Sequence, residues 1–238
     1  MGKRIISQAR GHGSLTYRVR RKAFSHHIKY PLNLVTGEGE ILKFIHSGGH
    51  SAPLAKIKIN NEIFFNPSAD GMYEGQKISI GKETKVGSIA KLKDIPTKTE
   101  VYNIEINPGD GGKLIRSAGS FATIIKKSKD EITLLLPSKK EKVFSGDCRA
   151  SIGVIAGSGR REKPIVKAGK KYYIMKTKSK LWPRTSAVKM NVIDHPFGSG
   201  RGKNLTHGNL GKVPKRNAPP GARVGSIRAR RTGKRKGK

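Results

Sequence analysis

The chain has 238 residues, 50 of them Lys or Arg and 16 Asp or Glu, for a formal charge of +34, and 34% are hydrophobic. That length holds one large or two small domains, and that charge requires counterions or a polyanion partner for solubility. A single cysteine, Cys148, excludes an internal disulfide and a cysteine-built zinc site, which points to a reducing compartment; no apolar run nears the ~18 residues of a membrane span.

The charge is unevenly placed. Met1 to Tyr30 carries eight basic residues and no acidic one, and His195 to Lys238 carries 13 and none. From Glu38 to Glu162 the balance is 20 basic against 15 acidic, and from Lys163 to Asp194 it is nine against one. A near-neutral middle with cationic ends is what a polyanion selects. A membrane surface is the competing polyanion. However, the stretch after Asp194 has one aromatic, Phe197, and nine glycines, which argues against an amphipathic helix and for an extended arm.

In chain order, residues 1–36 read as a basic arm, interrupted at Gly11-His-Gly13, with Arg18, Arg20, Arg21 and Lys22 following and a short helical turn near 15–22. His26-His27 lies in this arm as an RNA-facing or a solvated pair. From 37 the pattern turns to period two. Ala55, Ile57 and Ile59 share one face against Lys56 and Lys58, and Ile78 and Ile80 repeat the pattern, with turns at Gly48-Gly49, Asn60-Asn61, Asn66-Pro67, Asp70-Gly71 and Gly81. A second set follows at Tyr102–Ile106, Phe121–Ile125, Ile132–Leu136 and Ser151–Ile155. The two sets predict two small β-barrels in tandem, meeting near 85–100. A helix is expected within 167–180 with Lys170, Lys171, Lys176 and Lys178 exposed, and an irregular chain after Trp182-Pro183.

Catalytic constellations are poor. No Gly-Lys pair is followed by Ser or Thr, and no Gly-x-Gly-x-x-Gly, His-Glu-x-x-His or Gly-x-Ser-x-Gly occurs. His46 and His50 are four apart across Ser-Gly-Gly, too few ligands for zinc. Neither an enzyme nor a metal site is expected. Nucleic-acid features are better. Pro108–Gly119 joins glycines to Lys113, Arg116 and Ser117, either as a phosphate-binding loop or as an ordinary hairpin, and Gly157–Arg161 has the same two readings. Tyr172, Tyr173 and Trp182 lie among cations, to stack on unpaired bases or to pack in a core, with core packing favoured for at least one tyrosine. Cys148 reads as a small buried residue rather than a nucleophile. Gly-rich basic arms lean towards folded RNA over DNA.

At these residues the sequence strongly resembles the archaeal and eukaryotic branch of the universal large-subunit ribosomal protein two family. The matching segments are Asn107–Gly119, Leu136-Pro-Ser138, Cys148–Gly153, Lys167–Lys171, Met190-Asn191, Asp194–Gly198, Arg216–Gly221 and Val224–Gly233, with Gln8–Gly11 and Tyr30-Pro31 before them. Phe197, where bacterial members usually have a second histidine, places it on that branch. The resemblance implies a mainly β fold: a basic arm at 1–36, an OB-fold barrel at 37–90, an SH3-like barrel at 91–182 and an extended basic arm at 183–238. It implies a structural constituent of the large subunit that binds its rRNA and supports subunit association and the peptidyl-transferase centre without being the catalyst. A general nucleic-acid-compacting protein is the alternative.

The rRNA contacts implied are Arg4, Arg10, Arg18, Arg20, Arg21, Lys113, Arg116, Ser117, Arg149, Arg160, Arg161, Lys170, Lys171, Trp182 and Arg184. Further along they are His195, Arg201, Lys203, Lys215, Arg216, Arg228, Arg230 and Arg231. Asp194, His195, Gly198 and Gly200 are implied to lie nearest the peptidyl-transferase centre. No cofactor is implied, with Mg2+ or K+ only as rRNA-associated ions. The implied partners are the rRNA, neighbouring large-subunit proteins with a small zinc-ribbon protein as one candidate, and the small subunit through an intersubunit bridge. No membrane is involved, and the chain is a monomer within the cytoplasmic ribosome. The sequence departs from the family pattern at Arg184-Thr-Ser-Ala187, where Arg-x-Arg-Gly is usual, at Val192-Ile193 after Met-Asn, and at Gly198-Ser-Gly200, where three glycines are usual.

Overall fold

The computed structural model describes residues 3–32, 36–81 and 85–199, apart from the side chains of Ser7 and Arg21. Ten strands pair among them: β1 (Gly37–Ile45), β2 (Leu54–Ile59), β3 (Glu62–Pro67), β4 (Lys77–Gly81), β5 (Ile89–Lys91), β6 (Glu100–Tyr102), β7 (Ala122–Lys127), β8 (Glu131–Leu135), β9 (Glu141–Ser145) and β10 (Arg149–Ile152). Their order is β3-β2-β1-β4-β5-β10-β6-β7-β8-β9, antiparallel throughout except for β4 with β5.

The predicted alternation is realised in β2 and β4. Ala55, Ile57 and Ile59 are buried beside Ile78 and Ile80, while Lys58 faces water. With Tyr30, Ile41, Phe64 and Ile89 they form one apolar core. A second core gathers Ala90, Leu92, Ile95, Val101, Ile104, Ile124, Ile132, Leu134, Phe144 and Ile152. The two meet at β5. Successive strand residues face opposite sides, so Ile89 enters the first core and Ala90 the second. The register slips between Ile41 and Lys43 in β1 and between Ile124 and Lys126 in β7. Such bulges bend a strand and sharpen its twist, which lets a short sheet curl round its core. The described chain is therefore mainly β, with two large cores in tandem and a smaller cluster of Ala52, Ala69, Tyr102 and Ile155.

Several elements depart from expectation. β6 stops at Tyr102 because Asn103 turns left-handed (φ 47°). Ile106 is exposed, and so is Phe121, since β7 begins one residue later. β10 ends at Ile152 before Gly153 (φ 119°); Ile155 is still buried, bridged to Ala69. A first helix, α1 (Ile6–Gly11), precedes the short turn expected near 15–22. Residues 14–17 make only one turn, closed by Tyr17 N–H on Ser14 O at 2.9 Å. Crowded cations at 18–22 and β-branched Thr16 and Val19 oppose a helix there. A 3-10 turn at Arg21–Phe24 follows, and Ala23, Ile28 and Tyr30 are buried.

Arg20–Val166 forms one compact unit, and the described residues of Met1–Val19 and Lys167–Lys238 form another. In the latter, α2 (Ala168–Thr177) buries no residue. Lys170 and Lys176 are exposed as expected, whereas Lys171 and Lys178 are half-buried.

Candidate nucleic-acid interface

The glycine loop after β6 is built around two carboxylates. Glu105 is fully buried. Its Oε1 accepts from Gly111 N–H at 3.0 Å and from Arg149 Nε and Nη2 at 3.0 and 2.6 Å; its Oε2 accepts from Gly109 and Arg149 N–H at 3.3 and 2.8 Å. Asp110 accepts from the N–H groups of Ile106, Asn107 and Gly112 at 3.1, 3.3 and 3.2 Å. Burial pushes the Asp110 carboxyl up, but these three donors and Lys113 outweigh it and hold the group below its ordinary range. The loop amides are thus already committed inside the protein, not held out to a phosphate. The glycines serve packing instead: a Cβ at Gly112 (φ 84°) would stand 2.7 Å from Asn103 O, and one at Gly111 would overlap the Lys29 side chain.

What the loop offers outward is side chains. Lys113 is exposed and 3.5 Å from Asp110; Ser117 is exposed; Arg116 is half-buried. Arg149, expected to face RNA, turns inward. Besides Glu105 it donates to Pro31 O at 2.8 Å, and it lies 5.5 Å from the Tyr30 ring, so its head serves the fold. Tyr30 in turn sits in a buried chain of hydrogen bonds: its hydroxyl lies 2.6 Å from Ser151 Oγ, which accepts from Asn66 Nδ2 at 2.8 Å, while Asn66 Oδ1 accepts from Asn103 Nδ2 at 2.8 Å. Nothing in composition signalled this network. Cys148 is buried as expected, its thiol pushed up to about 11 by burial and then by Glu105 and Asp110. At Gly157 (φ 83°) the chain turns into a 3-10 helix, Ser158–Arg161, that exposes Arg160 and Arg161.

The other unit carries cations on short, solvent-facing elements. Arg4 Nη1 meets His12 Nε2 at 2.5 Å, Arg10 is exposed in the last turn of α1, and Arg18 Nε donates to Gly13 O at 2.7 Å. In the first unit, Arg20 is exposed. On α2, Lys170 faces water, Lys171 lies 5.3 Å from the Trp182 ring and Lys176 5.3 Å from the Tyr172 ring. Core packing of a tyrosine, the expected reading, does not occur. Tyr172 and Tyr173 stand edge to face at 5.5 Å and are 40% and 70% exposed, because α2 has no core beneath it. Arg184 is exposed.

The Asp194-His-Pro loop is tightly folded. Asp194 and His195 N–H both donate to Asn191 O at 3.0 Å, Gly198 N–H to His195 O at 2.9 Å and Ser199 N–H to Met190 O at 3.0 Å. A Cβ at Gly198 would overlap Met190 O and the Asn191 backbone, so only glycine fits. His195 Nδ1 accepts from Phe197 N–H at 3.1 Å, which puts the ring proton of the neutral form on Nε2. Burial, then Arg184, lowers the His195 pKa and favours that neutral form. Asp194 pairs with Lys3 at 3.4 Å. Gly200, Arg201, Lys203, Lys215, Arg216, Arg228, Arg230 and Arg231, with the side chain of Arg21, lie outside the described residues. Among the described residues no group of three or more His, Cys, Asp or Glu could hold a metal ion.

Similarity to known proteins runs the length of the chain. The family model for ribosomal proteins L2, C-terminal domain, matches residues 85–219. The large ribosomal subunit protein uL2 of Hyperthermus butylicus is 45% identical over 240 residues, spanning 99% of this chain and 100% of that protein. The uL2 proteins of Archaeoglobus fulgidus and Methanothermobacter thermautotrophicus are 45% and 42% identical over 247 and 244 residues, again covering 99% of this chain and 100% of theirs. Glycines that only a tight loop explains, cations facing water and end-to-end similarity to archaeal relatives agree: this chain belongs to the ribosomal protein L2 family.

Proposed function

We infer that the chain is a structural constituent of the large ribosomal subunit and binds its rRNA. The observation that carries this is end-to-end similarity to uL2 proteins in a chain of charge +34. The family is one of structural ribosomal proteins, so its work is binding and positioning rather than turnover. The two β cores act as the rigid platform, of OB-fold and SH3-like type. The exposed Lys113, Ser117, Arg160, Arg161, Lys170 and Arg184, with half-buried Arg116, Lys171 and Trp182, are the residues we assign to rRNA. Arg4, Arg10, Arg18 and Arg20 belong to the same set, as do the basic residues after Gly200.

Each cation that neutralises a phosphate releases counterions, so affinity falls steeply with salt. Ordering a basic segment costs conformational entropy, which many phosphate contacts offset. The Asp194–Gly200 loop is assigned to the neighbourhood of the peptidyl-transferase centre. The locked backbone of Asp194–Ser199 and neutral His195, with Nε2–H directed away from Phe197 N–H, support a positioning role through hydrogen bonding to RNA oxygens. Mg2+ and K+ enter only as rRNA-associated ions. Neighbouring large-subunit proteins, a small zinc-ribbon protein among the candidates, and the small subunit through a bridge complete the partners, in the cytoplasm.

Sedimentation of the native protein on a sucrose gradient, after a high-salt wash and after RNase, tests this. Co-migration with the large subunit through the wash, lost on RNase, is the expected result. Release at moderate salt with spread across all nucleic-acid fractions would instead mean a general compacting protein.

A further inference from the structure

A cavity of about 520 Å³ opens beside the Arg21–Phe24 turn, lined by Phe24, His26, His27, Ile28, His50 and Arg116. Small-ligand sites span about 300–1,000 Å³. Its walls are held by the fold. Gly49 N–H donates to Ala23 O at 2.7 Å, and Ser47 Oγ lies 3.2 Å from the same carbonyl and 2.7 Å from His50 Nδ1. A Cβ at Gly49 would overlap Ala23 O and stand 2.7 Å from the Phe24 ring, so glycine lets that ring lie on the loop. The His50 ring meets Phe24 edge-on at 4.9 Å, and His26 lies 4.6 Å from Phe65 of β3. Ile28 is bridged to the same strand residue.

The chemistry of the wall is selective. Arg116 is half-buried and donates to Ile28 O at 3.2 Å, yet among the described residues it forms no ion pair. A desolvated guanidinium without a carboxylate is stabilised by an anion supplied from outside. Burial, then Arg116, His26 and His27, lowers the His50 pKa, so this imidazole is a neutral planar ring at neutral pH. A guanidinium in the wall disfavours a metal cation. Planar faces beside one uncompensated cation fit a ligand that is itself planar at one end and anionic at the other.

We propose that this cavity takes one unstacked nucleotide of the bound RNA, its base against Phe24 and His50 and its phosphate on Arg116. The assignment rests on the RNA-binding reading above. The test titrates the full chain, labelled at its histidine rings, with AMP, CMP, GMP, UMP and, separately, inorganic phosphate, following the His26 and His50 ring signals by NMR. Nucleotides are expected to shift both signals saturably and to bind at least about tenfold more tightly than phosphate, since one base stack contributes that much. Arg116→Gln is expected to weaken nucleotide binding about tenfold. Phe24→Leu, which keeps an apolar side chain on the loop, is expected to weaken nucleotides and leave phosphate unchanged. Nucleotides and phosphate acting alike, or neither moving these rings, in a chain that still binds large-subunit rRNA would overturn the proposal alone. A chain that binds no such rRNA would overturn the reading beneath it.

Discussion

The strands of Arg20–Val166 and the segment Lys167–Ser199 are held in different ways. The first encloses two apolar cores and a buried hydrogen-bond chain from Tyr30 to Asn103. In the second, Gly198 is the one buried residue among those described, and α2 buries none. A helix of ten residues without tertiary packing is marginal in water. The strand body therefore folds on its own apolar surface. In Lys167–Ser199 the tyrosines of α2 and most cations face water, and the Asp194 loop is held by its own backbone hydrogen bonds rather than by a core.

The largest break expected in this contrast comes from Glu105→Ala. It strips the caps from the glycine loop and leaves Arg149 without its carboxylate, and losing one partner of a buried pair costs about 3–5 kcal/mol. Urea unfolding of the full chain measures it. Ile57→Ala, opening a cavity in the first core, is expected to cost about 2–5 kcal/mol. Ile174→Ala on α2, with no core to lose, should cost less than about 1 kcal/mol in the same assay; equal losses would erase the distinction between the two regions.

Binding sharpens it further. Arg116→Ala is expected to weaken rRNA affinity about tenfold, as loss of a charge-assisted contact does. Lys56→Ala, on a strand with no glycine loop beside it, should change affinity less than about threefold. Filter binding at two salt concentrations separates this from a pure count of charges. Acid gives a smaller effect. The Asp110 pKa is lowered by folding, so its stabilisation is present above the ordinary carboxylate pKa of about 3.9 and is lost as pH falls through the folded value. Asp110→Asn should flatten the stability profile in that acid window, read by thermal melts across pH. The smallest expected effect is from Trp182→Leu, which removes the Lys171 cation–π contact at about 0.5–1 kcal/mol and is visible as faster amide exchange in α2.

Much of this was legible in the residues. β2 and β4 were readable because apolar residues alternate with Lys in one and with Lys and Ser in the other, and α2 because cations and tyrosines fill a stretch free of proline. β1 and β9 were harder: β1 opens on Gly-Glu-Gly-Glu, and β9 buries only Phe144. Their pairing comes from neighbours, not from their own pattern. The glycine loop was legible, but its residues alone left it open between a phosphate-binding loop and an ordinary hairpin. Glu105 caps the amides of Gly109 and Gly111 locally, but that it also turns Arg149 inward depends on contacts 44 residues apart, which spacing does not reveal. Tyr30 and Phe24 were read within a basic arm because local charge outweighs two aromatics, whereas tertiary packing makes one a core residue and the other a cavity wall.

Amide hydrogen exchange, read by mass spectrometry on the full chain free and within the large subunit, tests the contrast most directly. Slow exchange in β1, β2, β7 and β8 in both states, with α2 protected only in the subunit, is the predicted result. Protection of α2 in the free chain equal to that of the strands would contradict the account.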